Sequence, residues 1–498
     1  MALDRDVIIL TFVFGYMALN IAVGLWAMGR THSAADFFVA GRDLGPLVVS
    51  LAVFSSTLSG FGFVGGPGLV YATGLSSLWM VICSTLGYAT GFYLVAKRIR
   101  MIAEVRDTLS LSDVLAARYR SETVRLVTGV TILLGVLAYL ATQILAMALV
   151  LQSILGALPA FEGVGLITCA VLSLAVLVFY SVTGGIIASV YTDVFQGIIM
   201  MVAGLLVVFA AMNSFEGGFT EASRIILADD PEAILPFGTF GSMVSLAWFF
   251  LFGFGLAGQP HIITKMMMNR RLADNRVIMP MSVVSYAFSA LLWVSVGVAM
   301  HALVISGAHP PLASADEAAP AFLSVYASPW LAGLVFAGLF AAIMSTADAF
   351  LNIGAAAVVH DIPRSIMGRS LRQELFWART ATVGISLLAM GFALYSHFLG
   401  GRLVAILGAF GWGTFAAALL PVVAIGLNWK QASRQAAIAS MVLSLGLNLA
   451  IELFSLRMPF GMNGSFVSLL VSLSVFIGWS LIDRRETLAR DIDRIMDL

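Results

Sequence analysis

Residues 55–68 read SSTLSGFGFVGGPG. They lie inside an apolar stretch, 46–71, long enough to cross a membrane, which takes about 20 residues. Five glycines, one proline and four hydroxyl side chains fall within these 14 positions. In a helix interior Gly costs roughly 1 kcal/mol and Pro roughly 3. Within hydrocarbon, freed backbone groups are tolerated only against protein or a water-filled cavity. The stretch therefore predicts a membrane helix broken in its middle, whose loose carbonyls and hydroxyls hold a small ion and a solute.

The rest of the chain supports a membrane setting. Its 498 residues are 60% apolar and 11% charged, with mean hydropathy +0.98. Such a composition implies a polytopic protein surrounded by lipid bilayer. A net charge of zero argues against nucleic acid as a partner. Cys83 and Cys169 both sit in apolar runs and read as packing residues, with no disulfide framework. The first apolar run, 7–28, follows an acidic start and lacks a small-residue cleavage pattern. It is expected to remain as a helix rather than leave as a signal peptide.

Counting stretches of spanning length gives thirteen, a leading helix at 7–28 and spans 1 to 12. The spans cover 46–71, 75–96, 124–155, 164–182, 185–211, 243–266, 277–303, 330–358, 380–398, 404–427, 436–453 and 465–482. Gly184-Gly185 is the expected tight turn between spans 4 and 5. With the N-terminus outside, 23 of the 27 Lys and Arg fall on the cytoplasmic side, leaving Arg5, Arg224, Arg402 and Arg457 outside. The positive-inside bias thus places the N-terminus outside and the C-terminus in the cytoplasm, in a plasma (inner) membrane. All basic residues fall in loops or helix ends, so none is expected in the membrane core. Residues 110–125 form an expected amphipathic helix lying along the headgroups. His309-Pro310-Pro311 opens a long outer loop, either a cap over the outer mouth or an ordinary Pro-rich connection.

Span 6 carries a second interruption, Gly253-Phe254-Gly255-Leu256-Ala257-Gly258-Gln259-Pro260-His261. Two broken helices five spans apart point to two repeats of opposite orientation with a midplane site. Span 8 contains Ala341-Ala342-Ile343-Met344-Ser345-Thr346-Ala347-Asp348. A helix there can aim the Ala342 carbonyl and the two hydroxyls at one point, and span 1 can add carbonyls. A set of neutral oxygens suits a monovalent hard ion such as sodium, whereas calcium wants several carboxylates. The alternative is that both hydroxyls bond back within their own helix. Asp193 and Asp348 are the acidic residues placed well inside the membrane, at a cost of at least about 2.5 kcal/mol each. Without an internal Lys or Arg, they read as a second cation or proton site, or as carboxylates bonded to hydroxyls such as Ser189 or Thr192. His261 reads as a structural residue or a proton relay. No metal cluster of His/Cys spacing and no catalytic constellation is seen, so the chain is not read as an enzyme.

The stretches ADFFVAGRDLG (35–45), SGFGFVGGPG (59–68), GGIIASVYTDVFQG (184–197), GQPHIITK (258–265) and AAIMSTAD (341–348) resemble the sodium/solute symporter family, and the likeness covers nearly the whole chain. That family includes sodium/glucose and sodium/proline symporters. The resemblance implies an all-α, leucine-transporter-like core of five-plus-five inverted helices. The segments would be 1–45 (leading helix and linker), 46–213 (first repeat), 236–427 (second repeat) and 428–498 (two further helices and a tail). It implies a sodium site at the carbonyls of Ser55, Leu58 and Ala342 and the hydroxyls of Ser345 and Thr346. Some members hold a second sodium with an aspartate matching Asp193 and hydroxyls one turn along span 8, where this chain has Asp348 and Ala349. The implied solute pocket is lined by Thr57, Ser59, Tyr139, Gln143, Phe252, Leu256, Gln259 and Trp412. Proline-specific members carry Trp and Tyr where Phe252 and Leu256 align. The pocket lacks the polarity of sugar members and the buried Arg of sialic acid members.

The expectation is a symporter that uses sodium to import a small organic acid or amino acid by alternating access, working as a monomer. A proton-coupled transporter of the same fold and a solute-sensing receptor are the alternatives. The receptor is the weaker of these, because some relatives carry kinase domains and only a short segment follows span 12 here.

Overall fold

The computed structural model describes residues 4–156, 158, 161–400, 404–483 and 488–498, with the side chains of 399–409 not described. Arg402, Arg484 and Arg485, all among the basic residues counted above for orientation, lie outside that set. The protein is all-helical. Ten helical stretches among the described residues are long and apolar enough to span. Two of them, 46 and 48 residues long, would each reach about 70 Å at 1.5 Å per residue, more than twice a hydrocarbon core of about 30 Å.

The longer stretch is Leu166–Asn213, and its one non-helical residue is Gly185, with φ 54° and ψ −143°. That backbone region is essentially open to glycine alone. Spans 4 and 5 therefore join through the predicted Gly-Gly turn. The other long stretch runs from Phe61 to Arg106. It holds the second half of span 1, Gly66–Thr73, and span 2, which starts at Leu78–Gly91 and ends at Lys97–Arg106. The remaining elements follow the predicted order. The leading helix is Arg5–Met28 and span 3 is Glu122–Gly156. Span 7 is Asn275–Ile305, span 8 Pro329–Ala356, span 9 Glu374–Tyr395 and span 10 Val404–Leu420. Spans 11 and 12 are Arg434–Leu453 and Gly464–Ile482.

Span 8 is buried along nearly its whole length, packed on the Leu166–Asn213 helices, the leading helix and span 3. It is the axis of the molecule, and the broken segments of spans 1 and 6 pack on it. The loop after span 7 forms a short helix, Ala318–Val325, whose lead-in backbone presses on span 1: a Cβ at Gly68 would lie 2.5 Å from the Ala315 carbonyl.

Two expectations are corrected. The helix Leu111–Tyr119, expected along the headgroups, is instead buried against the protein on nearly every residue. Arg118 is buried and donates to the carbonyls of Gly426 and Trp429, both at 2.9 Å, just past span 10. With two of its N–H groups already bonded to protein carbonyls, this guanidinium is held by the protein itself. The second correction concerns basic residues in the core. Lys265 is 1% exposed, its ammonium turned inward.

Candidate functional site at the two broken helices

The first half of span 1, Pro46–Ser55, ends at the quoted stretch. There the hydroxyls bond back to the carbonyls of the helix's last turn. Ser56 Oγ donates to the Ala52 carbonyl at 2.9 Å and Thr57 Oγ1 to the Val53 carbonyl at 2.7 Å. A wider turn at Phe61–Gly65 then leads into the second half. Span 6 breaks similarly. Gly241–Trp248 passes through a wide turn at Phe249–Phe254 and a tight one at Gly255–Gly258. Gln259 is extended, and Pro260–Met266 resumes the helix. Glycine is needed at 258 because a Cβ there would lie 2.7 Å from the Leu420 backbone nitrogen.

Span 8 meets the break in span 1. Ser345 Oγ donates to the Ser55 carbonyl at 2.9 Å, and Thr346 Oγ1 to the Ser56 carbonyl at 3.0 Å. Both hydroxyls also reach back to the Ala342 carbonyl, at 3.0 and 3.1 Å. Five neutral oxygens thus gather between the two helices, all on buried residues. The donor set fits a sodium ion: neutral, hard and weakly held. Of the residues implied by resemblance, Ser55, Ala342, Ser345 and Thr346 come together here. Leu58 is buried in the same break, but the carbonyl that Thr346 meets is that of Ser56.

The two membrane carboxylates have different surroundings. Asp193 is paired with Lys265, Nζ to Oδ2 at 2.6 Å. Its partner is therefore an internal lysine, which the sequence placed at a helix end. Asp348 accepts from Tyr180 Oη and Ser189 Oγ, both at 2.8 Å. Ser189 had been expected as such a donor; Tyr180 had not.

Most solute-lining candidates converge beside the breaks. Ser59 Oγ and Tyr139 Oη share a hydrogen bond at 3.0 Å, and Gln143 Oε1 accepts from the Gly60 amide at 2.8 Å. Phe252 stacks between Phe61 and Trp412, with ring centroids 6.1 and 5.7 Å away. Trp412 Nε1 donates to the Leu251 carbonyl, and Gln259 Nε2 donates to the Trp412 carbonyl. Phe61, and Phe350 against Tyr139, were not foreseen in this cluster. Thr57 is buried and spends its hydroxyl on Val53. Leu256 instead points to span 2, where a Cβ at Gly91 would lie 2.6 Å from it. Among the buried polar atoms, Gln143 Nε2 and Gln259 Oε1 have no hydrogen-bond partner. Neither ring nitrogen of His261 makes a bond of good geometry, though the Ser56 backbone lies beside the ring.

Beyond the end of span 8, Asp113, His360 and Asp361 lie close enough together to hold a metal ion. Each group there already has a partner. Asp113 pairs with Arg125 and His360, His360 also meets Glu374 at 2.6 Å, and Asp361 accepts from Ser110. This is an ion-pair knot linking span 3, the end of span 8 and the start of span 9. Asp113 and His360 are 247 residues apart in sequence, so spacing could not reveal it.

An all-helical membrane protein with two interrupted helices, and a cluster of neutral oxygens where the first of them meets span 8, is a transporter of solutes rather than an enzyme. Residues 37–444 match the model of the sodium:solute symporter family, and the chain belongs to that family. The sodium/proline symporter of Escherichia coli (strain K12) is 29% identical over 451 residues, 87% of this chain and 84% of that protein. The high-affinity proline transporter PutP of Bacillus subtilis (strain 168) is 28% identical over 435 residues, covering 85% and 87%. Among solved structures, a substrate-bound, outward-open sodium-coupled sialic acid symporter superposes with TM-score 0.77 at 18% identity, over 98% of this chain and all of that one. Mhp1, a nucleobase-cation-symport-1 family transporter, gives 0.55 at 15% identity, covering 93% and 98%. These likenesses show the leucine-transporter-like fold.

Proposed function

We propose that this protein imports a small amino acid or organic acid together with sodium, by alternating access. The observation that carries the sodium assignment is the meeting of the Ser55, Ser56 and Ala342 carbonyls with the Ser345 and Thr346 hydroxyls. Sodium entering from outside would join span 1 to span 8 and steady the outward-open form. Solute would then bind at the breaks, and the two repeats, 46–213 and 236–427, would rock about the site. The membrane potential adds about 2.3 kcal/mol per charge per 100 mV.

The solute class in this reading is supported by what the residues beside the breaks leave unpaired. Gln143 offers a free amide N–H and Gln259 a free carbonyl oxygen, beside the rings of Phe61, Phe252 and Trp412. One donor, one acceptor and an apolar wall suit a carboxylate and an amine on a short apolar body. The relatives named for proline support an amino acid.

Uptake into proteoliposomes, screened over amino acids, short carboxylates and sugars, tests this reading. A substrate should accumulate only under an inward sodium gradient. Accumulation that ignores sodium and follows a proton gradient would reject it. Gln143→Ala should weaken solute affinity about tenfold, the loss of one bond to a charged group at about 1.5 kcal/mol. Its sodium requirement should stay nearly unchanged.

A further inference from the structure

Lys265 lies on the second half of span 6, a short helix that turns its side chain into the protein. Its ammonium and the Asp193 carboxylate are 1% and 0% exposed and 2.6 Å apart. The ammonium also donates to the Ala52 carbonyl at 3.0 Å. Ala52 belongs to the last turn of the first half of span 1, where the negative end of the helix dipole gathers. A carboxylate and the carbonyl end of a broken helix are what such transporters offer a mobile cation. Here a cation on a four-carbon tether already holds both.

The surroundings point the same way. Asp193 Oδ1 has no hydrogen-bond partner, and the Ser55 side chain lies beside the carboxylate. The place therefore has the makings of a cation site continuous with the sodium cluster, since the Ser55 carbonyl belongs to that cluster. The hydroxyls that would complete it from span 8 are missing: residue 349 is Ala, and both oxygens of Asp348 are taken by Tyr180 and Ser189. A second mobile cation would face a buried ammonium at contact distance; only with that ammonium gone would the Asp193 carboxylate, the Ala52 carbonyl and the Ser55 side chain be open to an ion, even with fewer hydroxyls from span 8.

We propose that Lys265 is the resident cation of Asp193, filling the place of a second ion, so that this chain couples transport to one sodium ion. The sodium count rests on the reading of the preceding subsection; the occupancy of Asp193 by Lys265 does not. Lys265 also ties span 6 and span 1 to span 5, so the cation that closes this corner travels with the protein.

The test is equilibrium binding of radioactive sodium to the purified full chain, with choline replacing sodium at constant ionic strength. The wild type should bind one sodium per chain. K265M should gain one further sodium, held by the released carboxylate. K265M/D193N, which leaves no charge of the Lys265–Asp193 pair and guards against a K265M that fails to fold, should keep the wild-type count. Two sodium ions on the wild type, with one lost in K265M/D193N, would overturn the proposal. So would a K265M protein that folds and gains none. A wild type that binds no sodium would reject the sodium reading instead, and the gain or its absence in K265M would still decide the role of Lys265.

Discussion

Ser345 and Thr346 each place one hydroxyl between two carbonyls, one on span 1 and one on their own helix. A hydroxyl has one hydrogen and two lone pairs, so it satisfies one carbonyl fully and leaves its own oxygen available. A cation arriving at this point would take the carbonyls and the hydroxyl oxygens together, the hydrogens turning away. Replacing either side chain with Ala removes one oxygen from the shell while leaving the helix intact. Ser345→Ala and Thr346→Ala should each raise the sodium concentration for half-maximal uptake roughly tenfold or more, the scale of about 1.5–3 kcal/mol for a bond to a charged group. Solute affinity at saturating sodium should change less. An unchanged sodium dependence in both variants would remove these residues from the site. Asp348 sits less than one turn along the same helix with a different task. Held by two donated hydroxyl bonds, it fixes span 8 against spans 4 and 5.

At the scale of elements, the breaks were readable because glycine and proline are costly inside a membrane helix and therefore mark intent. The Gly-Gly turn between spans 4 and 5 was readable for the same reason. Gly185 is held at a φ and ψ that other residues avoid, and a Cβ there would lie 2.5 Å from the Phe37 ring. Gly185→Ala should cost on the order of 1–3 kcal/mol from backbone strain alone. It should lower the melting temperature and folded yield of the purified protein. Gly15→Ala, in the leading helix with open space around it, should do neither. If both behave alike, the turn is not the constraint it looks to be. What the sequence hid were contacts made by reach rather than by spacing. Lys265 ends a helix, and its position alone suggested cytoplasm; only the inward turn of Pro260–Met266 brings its ammonium to Asp193. The Ser56 carbonyl that Thr346 meets was not foreseen, because the local path of a non-helical segment cannot be deduced from composition. Arg118 was read as a surface charge because its carbonyl partners lie over 300 residues away.

Across the whole molecule, the alternating access proposed above, with the orientation the basic residues imply, would have the inner ends of spans 1, 2 and 6 move against the rest. Those three ends are tied into one body. Leu44 pairs with the backbone of Met268 and Arg270, Arg270 binds Asp43, and Arg100 of span 2 donates to the Asn269 carbonyl at 2.8 Å. The C-terminal helix Arg490–Asp497 straps this body to the loop after span 10. Arg106 holds Asp491 through two bonds, Lys97 donates to the Leu498 backbone carbonyl, and on the other side Lys430 meets Asp493 and Asp497. Ile492, Ile495 and Met496 are buried beneath. Burial pushes the Asp491 carboxyl up, but Arg106 outweighs it and leaves the group below the ordinary carboxylate range. A depressed carboxylate contributes its docking stability above its ordinary pKa and loses it only as pH falls through the lowered value. The strap should therefore hold unchanged through neutral and mildly acidic pH. Cutting the chain after Ala489 removes it. We expect the truncated protein to favour the inward-open form, seen as faster hydrogen exchange at the inner ends of spans 1 and 2 and in the loop after span 10. Exchange at the outer ends should stay as it was. Equal exchange in both proteins at every inner segment would show that the helix merely rests on the cytoplasmic face, and that the Lys265–Asp193 pair and the span 1–span 8 contacts close the inner side unaided.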